Sequence, residues 1–451
     1  MVIDRTHDWI ERSLAHVWHP CTQMHRLREA PPLPVARGQG PWLFDPEGRR
    51  YFDAISSWWV NLFGHGDPGL NAVLKDQLDR IAHVMLAGCT HEPALELAER
   101  LARRTAGALP HVCFASDGAS AVEIALKMSF HAWRNRGREA KREFVCVRHG
   151  YHGETIGALA VTDVAIFRDA YDPLLMRSHQ VASPDARQAA AGETPADVAM
   201  RALDDLRALL ERRHEHIAAF IYEPLVQGAA GMAMHDASYL RGVRALCDEY
   251  EVHLIADEIA VGCGRTGTFF ATEQAADEGE VPWPDLLCLS KGISGGYLPL
   301  SLVLASRPIY ESFLADDVRR AFLHSHSYTG NPLACRAACE VLDRFEREPV
   351  LERNARASSA LESALAPLGD DLRVEHLRRR GTIVAFDVRP EAAGADFAER
   401  FHQAGLRREL LIRPIGRSVY VMPPYVMDEE LAAWLAARVI DTLEEVCRHA
   451  A

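Results

Sequence analysis

Two residues of this chain have the type and setting for covalent chemistry on a carbonyl. Lys291 closes an apolar run, Leu286-Leu287-Cys288-Leu289-Ser290, and opens a glycine-rich turn, Gly292-Ile293-Ser294-Gly295-Gly296. Upstream, the apolar run from Val252 to Ala256 ends in Asp257. A lysine carried by a strand into a glycine-lined space sheds its solvation, loses its proton more readily and becomes a nucleophile towards an aldehyde. A carboxylate against a pyridine nitrogen keeps that nitrogen protonated, which makes an aldehyde-bearing pyridine an electron sink. Each residue alone also suits a plainer role, a solvated surface lysine or a helix-capping aspartate. The pair carries more weight, because ligands of open α/β sheets collect outside the carboxyl ends of the strands.

The elements that must position them are legible in the middle of the chain, where short apolar runs alternate with helical patterns, as in a mostly parallel sheet covered on both faces. Candidate strands are His111 to Ala115, Glu143 to Arg148, Ala218 to Tyr222, Val252 to Ala256, Leu286 to Leu289 and Ser301 to Ala305. Val122, Ala125, Leu126, Ser129, Phe130 and Trp133 recur at helical spacing, which predicts a helix from Ala119 to Arg136. Another runs from Leu333 to Phe345. Beyond residue 346 the texture changes: Thr382 to Val388, Leu411 to Arg413 and Ser418 to Met422 read as short strands, and Asp428 to His449 as a capped amphipathic helix. The expected division is an N-terminal segment 1–55 packing with a smaller α+β domain at 346–451, around a large domain at 56–345.

Bulk properties narrow the function. At 451 residues the chain exceeds what one core usually supports. Its net charge of −13 opposes a phosphate backbone, so small molecules rather than nucleic acid are the expected partners. Met1 to Asp8 lacks an apolar leader pattern and no stretch of 18 apolar residues occurs, which points to a cytoplasmic protein without membrane contact. The ten cysteines form no CxxC pair; Cys335 and Cys339, like His324 with His326 and His214 with His216, lack a second ligand pair, so no metal is expected.

Further motifs sit at strand ends. Ser116-Asp117-Gly118-Ala119-Ser120 joins the first strand to the long helix, where backbone N–H groups and the helix dipole suit a phosphate as well as a simple N-cap. Gly150-Tyr151-His152-Gly153-Glu154 brings an aromatic ring between two glycines, against a planar ligand or merely into the core. Trp58 and Trp59 are adjacent; on an extended segment they point to opposite sides, which frees one to line a pocket.

Taken together, Ser116 to Glu123, Tyr151-His152-Gly153, Glu223 to Gly228, Asp257 to Gly267, Ser290-Lys291-Gly292 and Ser327 to Cys335 resemble the class III aminotransferases that depend on pyridoxal 5'-phosphate, over nearly the whole chain. The resemblance implies the α/β fold-type I architecture, a large domain with a mostly parallel seven-stranded sheet plus a smaller α+β domain. It implies Lys291, Asp257 and Tyr151 as catalytic residues. Gly118, Ala119, Tyr151, Asp257 and Lys291 would bind the cofactor, helped by His326 and Ser327 from the other subunit of a homodimer with active sites at the interface.

Within that class, Val17-Trp18-His19-Pro20, Ser56 to Val60, Ile412 to Gly416 and Tyr420 to Tyr425 are similar to the branch acting in biotin biosynthesis, which aminates 8-amino-7-oxononanoate with S-adenosylmethionine through ping-pong kinetics. That similarity assigns substrate binding to Trp58, Tyr151, Lys291, Ser325, Arg413 and Tyr420, with Arg413 on the distal carboxylate. Cys21 stands where the branch carries a tyrosine, and His324 to Tyr328 is as similar to lysine-using members, so lysine stays open as the donor. A class III enzyme for another omega-amine, an intramolecular aminomutase, or a dehydrogenase or inert scaffold are the other readings.

Overall fold

The structure is a computed structural model and describes residues 5–448. Seven strands form its largest sheet: β1 (His111–Ala115), β2 (Glu143–Val147), β3 (His179–Val181), β4 (Ile217–Tyr222), β5 (His253–Asp257), β6 (Leu286–Leu289) and β7 (Ser301–Ala305), in the order β1-β7-β6-β5-β4-β2-β3. Six of them run parallel, and β7 lies antiparallel between β1 and β6. Every residue of β4 and of β6 is buried, as continuous apolar strands sandwiched between two helical layers must be. The edge strand β3 escapes a periodicity reading because it is three residues long and two of them are polar.

Helix α1 (Gly118–Asn135) covers one face of this sheet. Its buried stripe includes Val122, Ala125, Leu126, Ser129 and Trp133, and the Trp133 indole N–H donates to the Ala218 carbonyl at 2.8 Å. The antiparallel β7 matters for the site. The chain leaves β6, makes its turn at Lys291 and returns without a crossover helix, while the Ser301 hydroxyl donates to the Asp117 carbonyl at 2.6 Å. The entrance to α1 and the lysine turn are thereby fixed at one edge of the sheet.

Strands from residues 37–39, 42–44 and 50–53 pair with Leu410–Leu411 in a four-stranded sheet, so the N-terminal segment is completed by a late piece of chain. Trp42, Phe52 and Trp434 pack ring against ring across that junction. The expected strands near Thr382 and Ser418 are present at Ile383–Val388 and Ser418–Val421, joined by an unanticipated Val374–Arg380. Arg378, Arg379 and Arg380 interrupt its apolar alternation; Arg378 is held by Asp387 at 3.0 Å and Arg379 by Glu362 at 2.7 Å. The last helix spans Glu429–Arg448; its expected end at His449 lies outside the described residues. Among the described residues no helix is long and apolar enough to cross a membrane.

Candidate active site

At the carboxyl ends of β5 and β6 a cavity of about 370 Å³ is lined by Lys291, Asp257, Glu223, His152, Tyr151 and the Gly118-Ala119 entrance to α1, together with both tryptophans. Lys291 opens its turn with φ of 47°, a left-handed conformation that projects the side chain away from the strand direction. Its ammonium group has no hydrogen bond or ion pair among the described residues and lies 5.0 Å from the centre of the Trp59 ring. Burial holds its pKa below the usual lysine range, opposed by the negative charges of Asp257 and Glu223. An amine so placed gives up its proton readily.

Asp257 is oriented from two sides. One carboxylate oxygen accepts the Ile259 amide at 3.0 Å, and the other lies 2.7 Å from His152 Nδ1. His152 is itself buried, its amide bonded to Thr162 Oγ1, and its Nε2 has no partner. Glu223, also buried, accepts the Tyr151 amide at 3.1 Å and the Gly228 amide at 2.9 Å. Burial pushes its carboxyl pKa up to about 7, with His152 opposing and Asp257 reinforcing. Tyr151 donates its hydroxyl to Glu154 at 2.9 Å, and burial raises its pKa further above the phenol range. Gly153 permits this crowding: with φ of 122°, a Cβ there would meet the Ala119 Cβ at 2.5 Å.

These residues fit pyridoxal phosphate. An unpartnered buried amine suits its aldehyde, an oriented carboxylate at a neighbouring strand end suits its ring nitrogen, and the first turn of α1, whose N–H groups lack partners within the helix, suits its phosphate.

The two tryptophans do not sit on an extended segment. Ser56, Ser57, Trp58 and Trp59 all have positive φ, 51°, 47°, 71° and 74°, and form one left-handed turn. Such a conformation costs an L-residue about 1–2 kcal/mol. The separation of the two indoles therefore comes from this turn and not from strand alternation. Trp59 is buried, donates its indole N–H to the Tyr420 hydroxyl at 3.0 Å and packs where a Cβ on Gly228 would be 3.0 Å away. Trp58 is 46% exposed and lines a second cavity as well, of about 510 Å³, with His19, Cys21, Arg26, His402 and Arg413. The Arg413 guanidinium lies 5.8 Å from its ring and has no ion pair or hydrogen bond among the described residues.

Of the residues singled out from sequence, Lys291, Asp257, Tyr151, Gly118, Ala119 and Trp58 converge on one cavity. Arg413 stands in the adjoining one. Tyr420 is not brought to either: it is buried, spends its hydroxyl on Trp59, and desolvation pushes its pKa up to about 12. His326 contacts Ser116 Oγ of its own chain at 3.2 Å, and Ser325 and Ser327 are exposed without lining the cavity. Sequence reasoning quoted His152, Glu223 and Glu154 within motifs but gave them no role. A buried carboxylate and imidazole beside a lysine are visible only once strand ends are brought together.

The aminotransferase class-III family model matches residues 24–443. The chain belongs to that family. An adenosylmethionine-8-amino-7-oxononanoate aminotransferase from Helicobacter pylori is 42% identical over 440 residues, covering 96% of this aminotransferase and 97% of the relative. The crystal structure of the enzyme of that name from Methanocaldococcus jannaschii superimposes with a TM-score of 0.91 at 33% identity, covering 97% of this chain and 99% of that one. An amine transaminase from an uncultivated Pseudomonas species, crystallised with pyridoxal phosphate, gives a TM-score of 0.88 at 30% identity, covering 96% and 98%. The fold is thus that of the pyridoxal-phosphate-dependent class III transaminases, α/β of fold-type I.

Proposed function

We propose that this aminotransferase converts 8-amino-7-oxononanoate to 7,8-diaminononanoate in biotin biosynthesis, with S-adenosylmethionine as amino donor. The observation that carries this reading is the second cavity beyond Trp58, a space suited to a long acceptor chain, lined by the Arg413 guanidinium 5.8 Å from the Trp58 ring and unpartnered among the described residues. A guanidinium fork matches a carboxylate through two parallel N–H donors. The relatives carrying that activity in their names support it.

When bound, the cofactor supplies an aldehyde that takes up the amino group and a ring that absorbs negative charge. The protein's residues do the rest. Lys291 would hold the cofactor through its aldehyde, and its freed Nζ would take the proton from the donor carbon and later deliver one to C7 of the acceptor. Asp257, its carboxylate fixed by His152, would keep the ring nitrogen protonated. Gly118 and Ala119 would hold the phosphate, and Tyr151 would flank the ring. Donor and acceptor use the cavity in turn, so the kinetics are ping-pong.

Glu154, on the cavity wall, favours a cationic donor, either the sulfonium of S-adenosylmethionine or the ammonium of lysine. Lysine is the second reading, favoured by Cys21, whose thiol lies 4.0 Å from Glu154 and leaves room that a phenol would fill. We place the enzyme in the cytoplasm as a homodimer in which His326 and Ser327 serve the partner's cavity, with Ser325 binding substrate. Residues 1–55 and 346–451 form the small domain about the large one at 56–345. Mixing holoenzyme with each donor separately tests the donor: the true one abolishes the visible cofactor absorption, and subsequent 8-amino-7-oxononanoate restores it. Failure of the acceptor to restore it after either donor refutes the reading.

A further inference from the structure

The turn carrying the tryptophans is held by one buried carboxylate. Asp53 ends the strand Arg50–Asp53 and is completely buried. One of its oxygens accepts the Ser57 amide at 2.8 Å; the other accepts the Ser57 hydroxyl at 2.6 Å and lies 2.9 Å from His65 Nε2. Asn61 approaches the other ring nitrogen of His65 at 3.1 Å, so its amide donates there and His65 donates to Asp53. Ser57 lies within the left-handed turn, and these hydrogen bonds hold it in a conformation that is costly for an L-residue.

Trp58, unlike Trp59, has no hydrogen bond of its own; its indole N–H finds no acceptor among the described residues. The direction of the ring is therefore set by the backbone turn beneath it and by its contact with Arg413. Trp58 is also the one tryptophan common to both cavities.

We propose that Asp53, backed by His65, is a positioning residue for acceptor selectivity. By locking Ser57 in the left-handed turn it holds Trp58 as the partition between the lysine cavity and the Arg413 cavity. Released from Asp53, the segment relaxes towards extended backbone, the indole swings, and the two spaces merge into one that no longer discriminates acceptors by length. This rests on the reading of the Arg413 cavity as the acceptor's.

The test compares kcat/KM for a long oxo acid and a short methyl ketone in holoenzyme of the wild type, Asp53→Ala, Asp53→Asn, Trp58→Ala and the Asp53→Ala/Trp58→Ala double variant. The long-over-short ratio is expected to fall about tenfold in Asp53→Ala and less in Asp53→Asn, whose carbonyl still accepts the Ser57 amide. In the Trp58→Ala background, Asp53→Ala should change the ratio no further, since the residue acts through the indole. A ratio unaltered in Asp53→Asn and Asp53→Ala, or one lowered by the same factor with and without Trp58, overturns the proposal. If Asp53→Ala fails to fold, Asp53→Asn and the Asp53→Asn/Trp58→Ala double variant decide. A wild type that shows no preference for the long acid strikes at the acceptor reading itself, which separates the two failures.

Discussion

Replacing Arg413 by alanine tests the acceptor cavity most directly. The guanidinium has no carboxylate to answer it in the described structure, whereas its neighbour Arg26 is committed to Asp396 at 3.1 Å and Glu399 at 3.2 Å. A substrate carboxylate held by two charge-assisted hydrogen bonds gains about 1.5–3 kcal/mol per bond in a protected site. Arg413 is exposed, and exposed ion pairs are worth about 0.2–1 kcal/mol each. With the bound acceptor excluding part of the water, a total of about 1.5–3 kcal/mol follows, roughly a 10- to 150-fold rise in acceptor KM. Arg413→Lys keeps the charge but loses the planar fork and should fall between. The assay varies acceptor at saturating donor and follows the donor half-reaction separately by cofactor absorption. The half-reaction should be unaffected, because Arg413 does not line the cavity of Lys291. An acceptor KM within about twofold of wild type, or a donor half-reaction slowed to the same degree, would refute the reasoning.

Three other outcomes are expected. Lys291→Ala should lose the visible cofactor band and turnover together; a yellow, active variant would assign the chemistry to another amine. Asp257→Ala should lose about 10²-fold or more in kcat while cofactor affinity, measured by titration, changes far less, since the carboxylate acts on the ring's charge more than on its binding. In the apoenzyme Glu223 should contribute stability that is lost as pH rises from about 4.5 to about 7, because its pKa, raised from 4.5 to about 7, means that it binds its proton more tightly folded than unfolded. The stabilisation is complete below the unfolded value and gone above the folded one, about 3 kcal/mol in all. The stability of wild type relative to Glu223→Gln, taken from denaturant midpoints at the two ends of that range, should fall as pH rises; an identical pH dependence in the two proteins would remove Glu223 as a contributor.

The strands that carry the chemistry were the most legible part of the fold. Leu286–Leu289 and Ser301–Ala305 appear with the bounds their apolar runs suggest, because a strand buried on both faces leaves no polar interruption. The edge strand β3 and the arginine-rich Val374–Arg380 left no such trace, since neither needs a continuous apolar run. In the site, Lys291 and Asp257 were visible as strand-end residues, but the left-handed turn at Ser56 to Trp59 was not. Serine and tryptophan have no preference for positive φ, and the turn is bound by Asp53, four residues upstream, and by Met422 and Tyr420 from far along the chain. The setting of Tyr420 was hidden for the same reason: sequence shows a tyrosine near Arg413 but not that its hydroxyl accepts from Trp59.

The antiparallel β7 also governs when the molecule can come into being during synthesis. β1 is an edge strand whose only neighbour among the described residues is β7, and the Ser301 to Asp117 hydrogen bond joins residues 184 positions apart. A nascent chain therefore emerges with an apolar strand and the start of α1 long before anything can pair with them, a condition that invites chaperone capture. Any chain terminated before Ser301 leaves that strand without its partner, so truncation there favours aggregation over a shortened but working catalyst.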